Sequence, residues 1–365
     1  MVNRFKSLLT KRASGVGIEL APERINVAQL HKQGQGFKLA ALSSLAVPEG
    51  IFQDGQISEP QALAELIQSA LETSKIKTKR IAAAVPGRES LVRIIPLAAE
   101  LDDKELREMV LNHEAGLYLP YPREEADVDY QKLGYIMDED GIEKVQVLLV
   151  ATRKEVTDTY MATFQHAGLQ VDVLEINSFA LLRTIREQLR QFAQQEAAAL
   201  VDIQFDNTEI AIILDGVPHF SRTVPIGTYQ LQSAVLRAMH LPASRDVQLL
   251  QGMTIPISVD TSIDPGMTAL LRVLGELTDE LRRSIDFYLN QRDNLDVTQI
   301  LLAGPGGGIG QLSEFFISKL SLPTVAVDPV AALSLEVDEE KITFSQRPGL
   351  GVVLGLGLRE VLQNV

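Results

Sequence analysis

The sequence predicts an α/β fold made of two copies of one architecture, with a smaller α/β unit inserted in the first copy, and three observations carry that prediction. Residues Gly15 to Leu30, GVGIELAPERINVAQL, read as strand, tight turn, strand, with β-branched and apolar residues flanking Ala21-Pro22-Glu23-Arg24. The pattern returns from Ala199, where LVDIQFDNTEIAIILDG gives a short buried strand closing on an acidic residue, a polar turn and an alternating strand. Glu19 and Asp202 then mark equivalent points 183 residues apart. Third, Pro86-Gly87 breaks the first copy, and the residues after it have their own order of strand, helix, strand, strand and helix.

Taken in order, Gln61 to Ser74 places Leu63, Leu66, Ile67, Ala70 and Leu71 at helical spacing, and Ile81 to Val85 reads as a buried strand. The insert begins with a strand from Ser90 to Leu97. A helix from Asp102 to Tyr118 comes next, with Asp102 as N-cap and Glu105 three residues on, and Gly116, Pro120 and Pro122 end it. Tyr130 to Ile136 and Lys144 to Ala151 read as strands joined by the hairpin turn Asp138-Glu139-Asp140-Gly141, and Lys154 to Ala167 as a helix. Val171 to Ile176 and a helix from Phe179 to Gln194 return to the first half. In the second half, Thr228 to Met239 and Gly266 to Asn290 read as helices, the latter with an apolar stripe of Leu270, Leu271, Leu274, Leu277, Leu281 and Ile285. The strand Thr298 to Leu302 runs into a glycine-rich turn from Ala303 to Gly310 and then a helix from Gln311.

Composition removes several functions. The 365 residues include no cysteine, which excludes disulfides, thiolate metal sites and a cysteine nucleophile, and the five histidines are scattered rather than paired at ligand spacing. A net charge of −14 opposes attachment to nucleic acid. No window approaches the ~20 apolar residues a spanning helix needs, and Met1 to Arg12 lacks the apolar core of a signal peptide, so the expectation is a cytoplasmic chain. That opening segment alternates Arg4, Lys6, Lys11 and Arg12 with Phe5, Leu8 and Leu9. It reads either as a short basic amphipathic helix on a membrane surface or as a solvated terminus.

Familiar catalytic signatures are missing: there is no GxxxxGK[ST] loop, no GxSxG elbow and no HExxH pair. The glycine run Gly304 to Gly310 admits two readings. Glycines let a backbone approach a nucleotide, and they equally make a packing turn.

The doubled hairpin, the late glycine turn and the helix Glu276 to Tyr288 resemble the actin-like ATPase superfamily. GVGIEL at 15–20, AAVPG at 83–87, HEAGLYLPYPREEADVDYQKLG at 113–134, ELRRSIDFYLNQ at 280–291 and LGLGLRE at 354–360 narrow the resemblance to the PilM family, FtsA-like proteins of type IV pilus assembly. The resemblance covers nearly the whole chain. It implies an actin-like ATPase fold of two duplicated α/β halves with an inserted FtsA-like 1C subdomain. The implied layout is a basic segment at 1–14, subdomain 1A at 15–87 and 171–198, 1C at 88–170, 2A at 199–227 and 298–365, and 2B at 228–297. It also implies a cleft for ATP or ADP with Mg²⁺, faced by Glu19, Ala21, Asn26, Asp202, Gln204, Gly227, Glu276, Arg283, Gly304, Gly306 and Gly307, with Glu19 and Asp202 holding the metal through water.

The phosphate-facing tips depart from that pattern. Where glycine is wanted so that no Cβ blocks the phosphates, the first tip has Ala21-Pro22, Asn26 stands where a lysine is expected, and Pro22 removes an amide donor. The second tip has Gln204 and a bulky Phe205. Glu19 and Asp202 equally suit hydrogen bonds from their own turns, and Glu276 and Arg283 equally suit charge pairing along a solvated helix. The sequence therefore favours a non-catalytic scaffold at the inner face of the cytoplasmic membrane. The resemblance supplies its partners: the N-terminal tail of a PilN-like single-span protein, other pilus platform and motor proteins, and further copies of the chain. The tail would bind between 1A and 1C, at an edge formed by Glu114, Tyr118, Tyr121, Asp129 and Tyr130. An ATP-driven switch of the same machinery and an FtsA-like cell-division protein are the alternatives. The latter predicts a closing basic amphipathic helix, where this sequence has Leu362-Gln363-Asn364-Val365.

Overall fold

The computed structural model describes residues 14–193, 195–256, 264–290 and 295–363; the basic segment, apart from Ser14, lies outside them. Two five-stranded sheets share one topology. In the first, Ser14–Leu20, Arg24–Gln33 and Gly36–Ala46 form an antiparallel meander, and Arg80–Val85 and Gln170–Ile176 extend the sheet in parallel on the other side of Ser14–Leu20. In the second, Glu196–Ile203, Thr208–Leu214 and Val217–Val224 form the meander, and Asp296–Ala303 and Thr324–Ala326 the parallel extension. The repeat holds to the residue: Glu19 pairs with Asn26 across the first hairpin and Asp202 with Glu209 across the second. Glu196–Ile203 and Thr208–Leu214 are covered on both faces, so the second strand, read from its sequence as alternating, is buried along its whole length.

The insert is a three-stranded antiparallel sheet in the order Ser90–Ala98, Glu143–Arg153, Ala126–Met137. Its first helical segment starts where the capping box predicts. The Asp102 carboxylate accepts from the amides of Lys104 and Glu105, each at 2.8 Å, while Glu105 accepts from the Asp102 amide at 3.0 Å. The helix is not uniform, because a wider π-type turn spans Met109–Glu114 before a last helical turn at Ala115–Tyr118. One sheet face, with Ile95, Val147 and Leu149, closes on Leu106 and Val110 to make the insert's own core. From the opposite face Val92 and Val150 pack against the core of the first half.

Two helices lie between the large sheets. Leu181 and Leu182 of Asn177–Thr184, and Val352 and Leu356 of Gly351–Gln363, share one apolar cluster with Ala82 and Ala84 of the first sheet and Leu200, Ile213 and Leu301 of the second. The closing helix, grouped by sequence with the second half, packs on the first sheet so closely that a Cβ on Gly17 would sit 2.4 Å from the Val353 carbonyl oxygen and 2.6 Å from the Gly357 nitrogen. GVGIEL and LGLGLRE, at opposite ends of the chain, are thus two sides of one contact. On the outer face of the second sheet, Leu270, Leu274, Leu277, Leu281 and Ile285 of helix Pro265–Leu289 are buried, as their spacing predicts. Each such side chain contributes about 1.5–3 kcal/mol.

Candidate functional site

The two hairpin tips bring their carboxylates together at the junction of the halves. Glu19 is 2% exposed and accepts a 2.8 Å hydrogen bond from Asn26 Nδ2, its cross-strand partner. Asp202 is 3% exposed, and both of its oxygens accept from Gln204 Nε2, at 2.8 and 2.9 Å. Burial pushes the Asp202 carboxyl up to about 6, with Gln204 and the charge of Arg24 working against the shift. Burial raises Glu19 as well, opposed by Arg24 and Asn26 and reinforced by the charge of Asp202. The third carboxyl, Glu209, is pushed up to about 7 by burial and then by Asp202.

The backbone at the tips is committed internally. The Ala21 amide donates to the Arg24 carbonyl at 2.9 Å, closing the first tip, and Gln204 donates to the Asn207 carbonyl at 2.9 Å, closing the second. The Gly227 amide donates to Gln230 Oε1, and the next two amides, Thr228 and Tyr229, donate to the carbonyls of Gln204 and Phe205. A Cβ on Gly227 would lie 2.4 Å from the Phe205 carbonyl oxygen, so this glycine is required by helix-to-tip packing. The late glycine turn behaves likewise. Gly304, at φ 72°, abuts Asp202 Oδ1, and its amide donates to Pro348; Gly306 abuts Ile203; the Gly307 amide donates to Gly304.

Glu276 and Arg283 form charge pairs along their helix. Both are exposed on helix Pro265–Leu289, Glu276 paired with Arg272 one turn back and Arg283 with Glu280. Three arginines that the sequence reading passed over lie in the cleft instead. Arg24 sits among Glu19, Glu23 and Asp202, Arg88 pairs with Asp206 at 2.6 Å, and Arg245 donates to the Pro22 carbonyl at 2.7 Å. Nothing local marks the contacts of Arg88 with Asp206 and of Arg245 with Pro22, which span 118 and 223 residues.

A second site lies where the insert meets the first half, a cavity of about 920 Å³. One wall is strand Ala126–Met137, contributing Asp127, Asp129 and Gln131, with Leu148, Val150 and Thr152 of the strand beside it. The facing wall is strand Gln170–Ile176 and the helical stretch carrying Phe179, Leu182 and Arg186. Each of these two strands is the edge of its sheet, so two strand edges border the same space. Asp129 and Tyr130 line the cavity as read from the sequence, although Tyr130 also packs on the insert's own core. Glu114, Tyr118 and Tyr121 do not line it. The Tyr121 ring instead lies under the Arg153 guanidinium, 4.1 Å from centroid, which is a packing role.

Among the described residues there is no cluster of three or more metal-ligating side chains and no helix long and apolar enough to cross a membrane.

Residues 17–361 match the profile of the family described as type IV pilus assembly protein PilM. Among solved structures, a PilM–PilN type IV pilus biogenesis complex matches with a TM-score of 0.80 and 25% identity, over 95% of this chain and 98% of that one. The ethanolamine utilization protein EutJ from Carboxydothermus hydrogenoformans matches with a TM-score of 0.55 at 13% identity, over 94% of this chain and 89% of that one. MreB5 of Spiroplasma citri, bound to ADP, gives 0.50 at 11%, over 88% and 94%. At those identities EutJ and MreB5 speak to the fold, and the fold is the actin-like one.

Proposed function

This chain belongs to the PilM family of type IV pilus assembly proteins, and from that premise we propose that it is a non-catalytic adaptor. It captures the N-terminal tail of a PilN-like membrane protein in the cavity between the insert and the first half, at the inner face of the cytoplasmic membrane. The observation that carries this reading is the pair of edge strands, Ala126–Met137 and Gln170–Ile176, on the walls of one cavity. An extended peptide adds to a strand edge through main-chain hydrogen bonds, while pockets along the wall select its side chains. Val150, Leu148, Phe179 and Leu182 suit an apolar tail, and Asp127 and Asp129 suit an arginine or amine along it. The PilN of the matching PilM–PilN complex supplies the class of partner.

Calorimetric titration of a synthetic PilN-like tail peptide into the nucleotide-free chain tests this, together with amide exchange on the complex. Saturable binding with slowed exchange over 127–133 and 173–176 is expected. Binding that leaves both strands unprotected overturns the assignment of the cavity. Binding that requires Mg-ATP overturns the nucleotide-free adaptor in favour of an ATP-driven switch.

A further inference from the structure

We infer that the cleft between the two halves takes no nucleotide and is clasped from within by two arginines. The cleft is bordered by Glu19, Glu23, Asp202, Asp206 and Glu209, and a triphosphate and ionised carboxylates repel unless cations stand between them. Two of the three cations are engaged across the junction, while Arg24 leaves its buried Nε and Nη2 without a hydrogen-bond partner. Arg245, from the second half, donates from Nη2 to the Pro22 carbonyl of the first tip at 2.7 Å and lays its guanidinium over the Phe205 ring of the second tip, 5.1 Å from centroid. One side chain thus spans both tips. Arg88 crosses the other way, donating from Nη1 to Asp206 of the second tip at 2.6 Å and from Nη2 to the Gly55 carbonyl of the first half. Arg24 of the first tip faces Glu19 and Glu23 on its own side and Asp202 across the junction.

The tip backbone and the carboxylate pair agree with these side chains. The tip amides at Ala21, Gln204, Gly227, Gly304 and Gly307 all donate within the protein, and Pro22 has none, so the phosphate oxygens of a nucleotide would find no cradle of free N–H groups at these positions. Glu19 and Asp202, the pair that would hold Mg²⁺ through water, accept instead from Asn26 and Gln204. Where a nucleotide would bridge the halves, arginine-to-tip contacts do so.

The test pairs calorimetry with hydrogen exchange on the full chain. Titration with Mg-ATP and with Mg-ADP to about 1 mM is expected to give no saturable heat, and Arg245→Ala and Arg88→Ala are each expected to speed exchange at 17–28 and 201–210 at least tenfold, about 1.4 kcal/mol, with nucleotide restoring nothing. Where Arg88→Ala is insoluble, Asp206→Asn cuts the same pair from its more exposed side. Saturable nucleotide binding by the wild-type chain, or clasp variants whose exchange matches wild type, overturns the inference.

Discussion

Asn26 and Glu209 occupy the same place in two copies of one hairpin, each directly across an antiparallel ladder from the carboxylate one residue before the end of the first strand. In the first copy the pair is amide and carboxylate, and Asn26 donates to Glu19 at 2.8 Å. In the second, carboxyl faces carboxyl. Glu209 is 6% exposed and reaches across the junction to the first half, where a Cβ on Gly87 would sit 2.1 Å from its Oε2.

The first prediction concerns pH. Glu209 and Asp202 are pushed up to about 7 and about 6, above their unfolded values, so the folded chain binds protons more tightly than the unfolded one. The stability tied to this is fully present below the unfolded values near 4 and is lost as pH rises through 6 and 7. Melting temperature should therefore fall between pH 5 and pH 8, and Glu209→Gln should flatten that slope, gaining on the order of 1–3 kcal/mol at pH 8 relative to wild type. Parallel melting curves for the two proteins across this range would show that Glu209 does not set the slope.

A second prediction rests on the close approach at Gly87. Gly87→Ala forces the Glu209 carboxylate out of its place and should cost about 1–3 kcal/mol in denaturant unfolding. Because both changes disturb one contact, the loss in Gly87→Ala combined with Glu209→Ala should be smaller than the sum of the single losses. Strict additivity would mean that the two residues are energetically independent.

Gly17 should be less forgiving. Its would-be Cβ meets the backbone of Val353 and Gly357 rather than the end of a flexible side chain, so Gly17→Ala has no cheap relaxation and should displace the closing helix. Limited proteolysis is expected to cut the variant near residue 350 at protease levels that leave wild type whole. An uncut variant would show that the helix can shift without leaving the sheet.

For the tail site, Asp129→Lys should weaken binding of the tail peptide at least tenfold, about 1.4 kcal/mol, by reversing charge on the cavity wall. Tyr121→Ala should bind the peptide as wild type does while melting earlier, since its ring packs under Arg153 rather than in the cavity. Loss of binding in Tyr121→Ala at unchanged stability would move the tail to the Tyr118–Tyr121 edge.

The duplication, the insert and the start of its helix were legible because each rests on spacing within a few residues. Glu19 and Asp202 each end an apolar run before a polar turn, the Asp102–Glu105 capping box spans one helical turn, and the stripe from Leu270 to Ile285 keeps helical period. Local propensity and binary pattern specify such elements wherever they sit in the fold. The tips' lack of phosphate-binding glycines could likewise be read directly, since a missing Cβ is a property of one residue.

The closure of the cleft was not legible. Arg245 meets Pro22 across 223 residues and Arg88 meets Asp206 across 118, and contacts at such separation leave no period in the chain. The same holds for the closing helix, whose backbone lies against Gly17 near the other end of the chain. Glu276 and Arg283 have residue types that fit either a ligand or a solvated helix, and their exposure and helical partners are visible only in the fold. Which strands and helices exist is set by short-range sterics and hydrophobic pattern. Which carboxylates are buried, and which arginines answer them, is set by how the two halves dock, because desolvation and charge pairing depend on neighbours that the chain order does not supply.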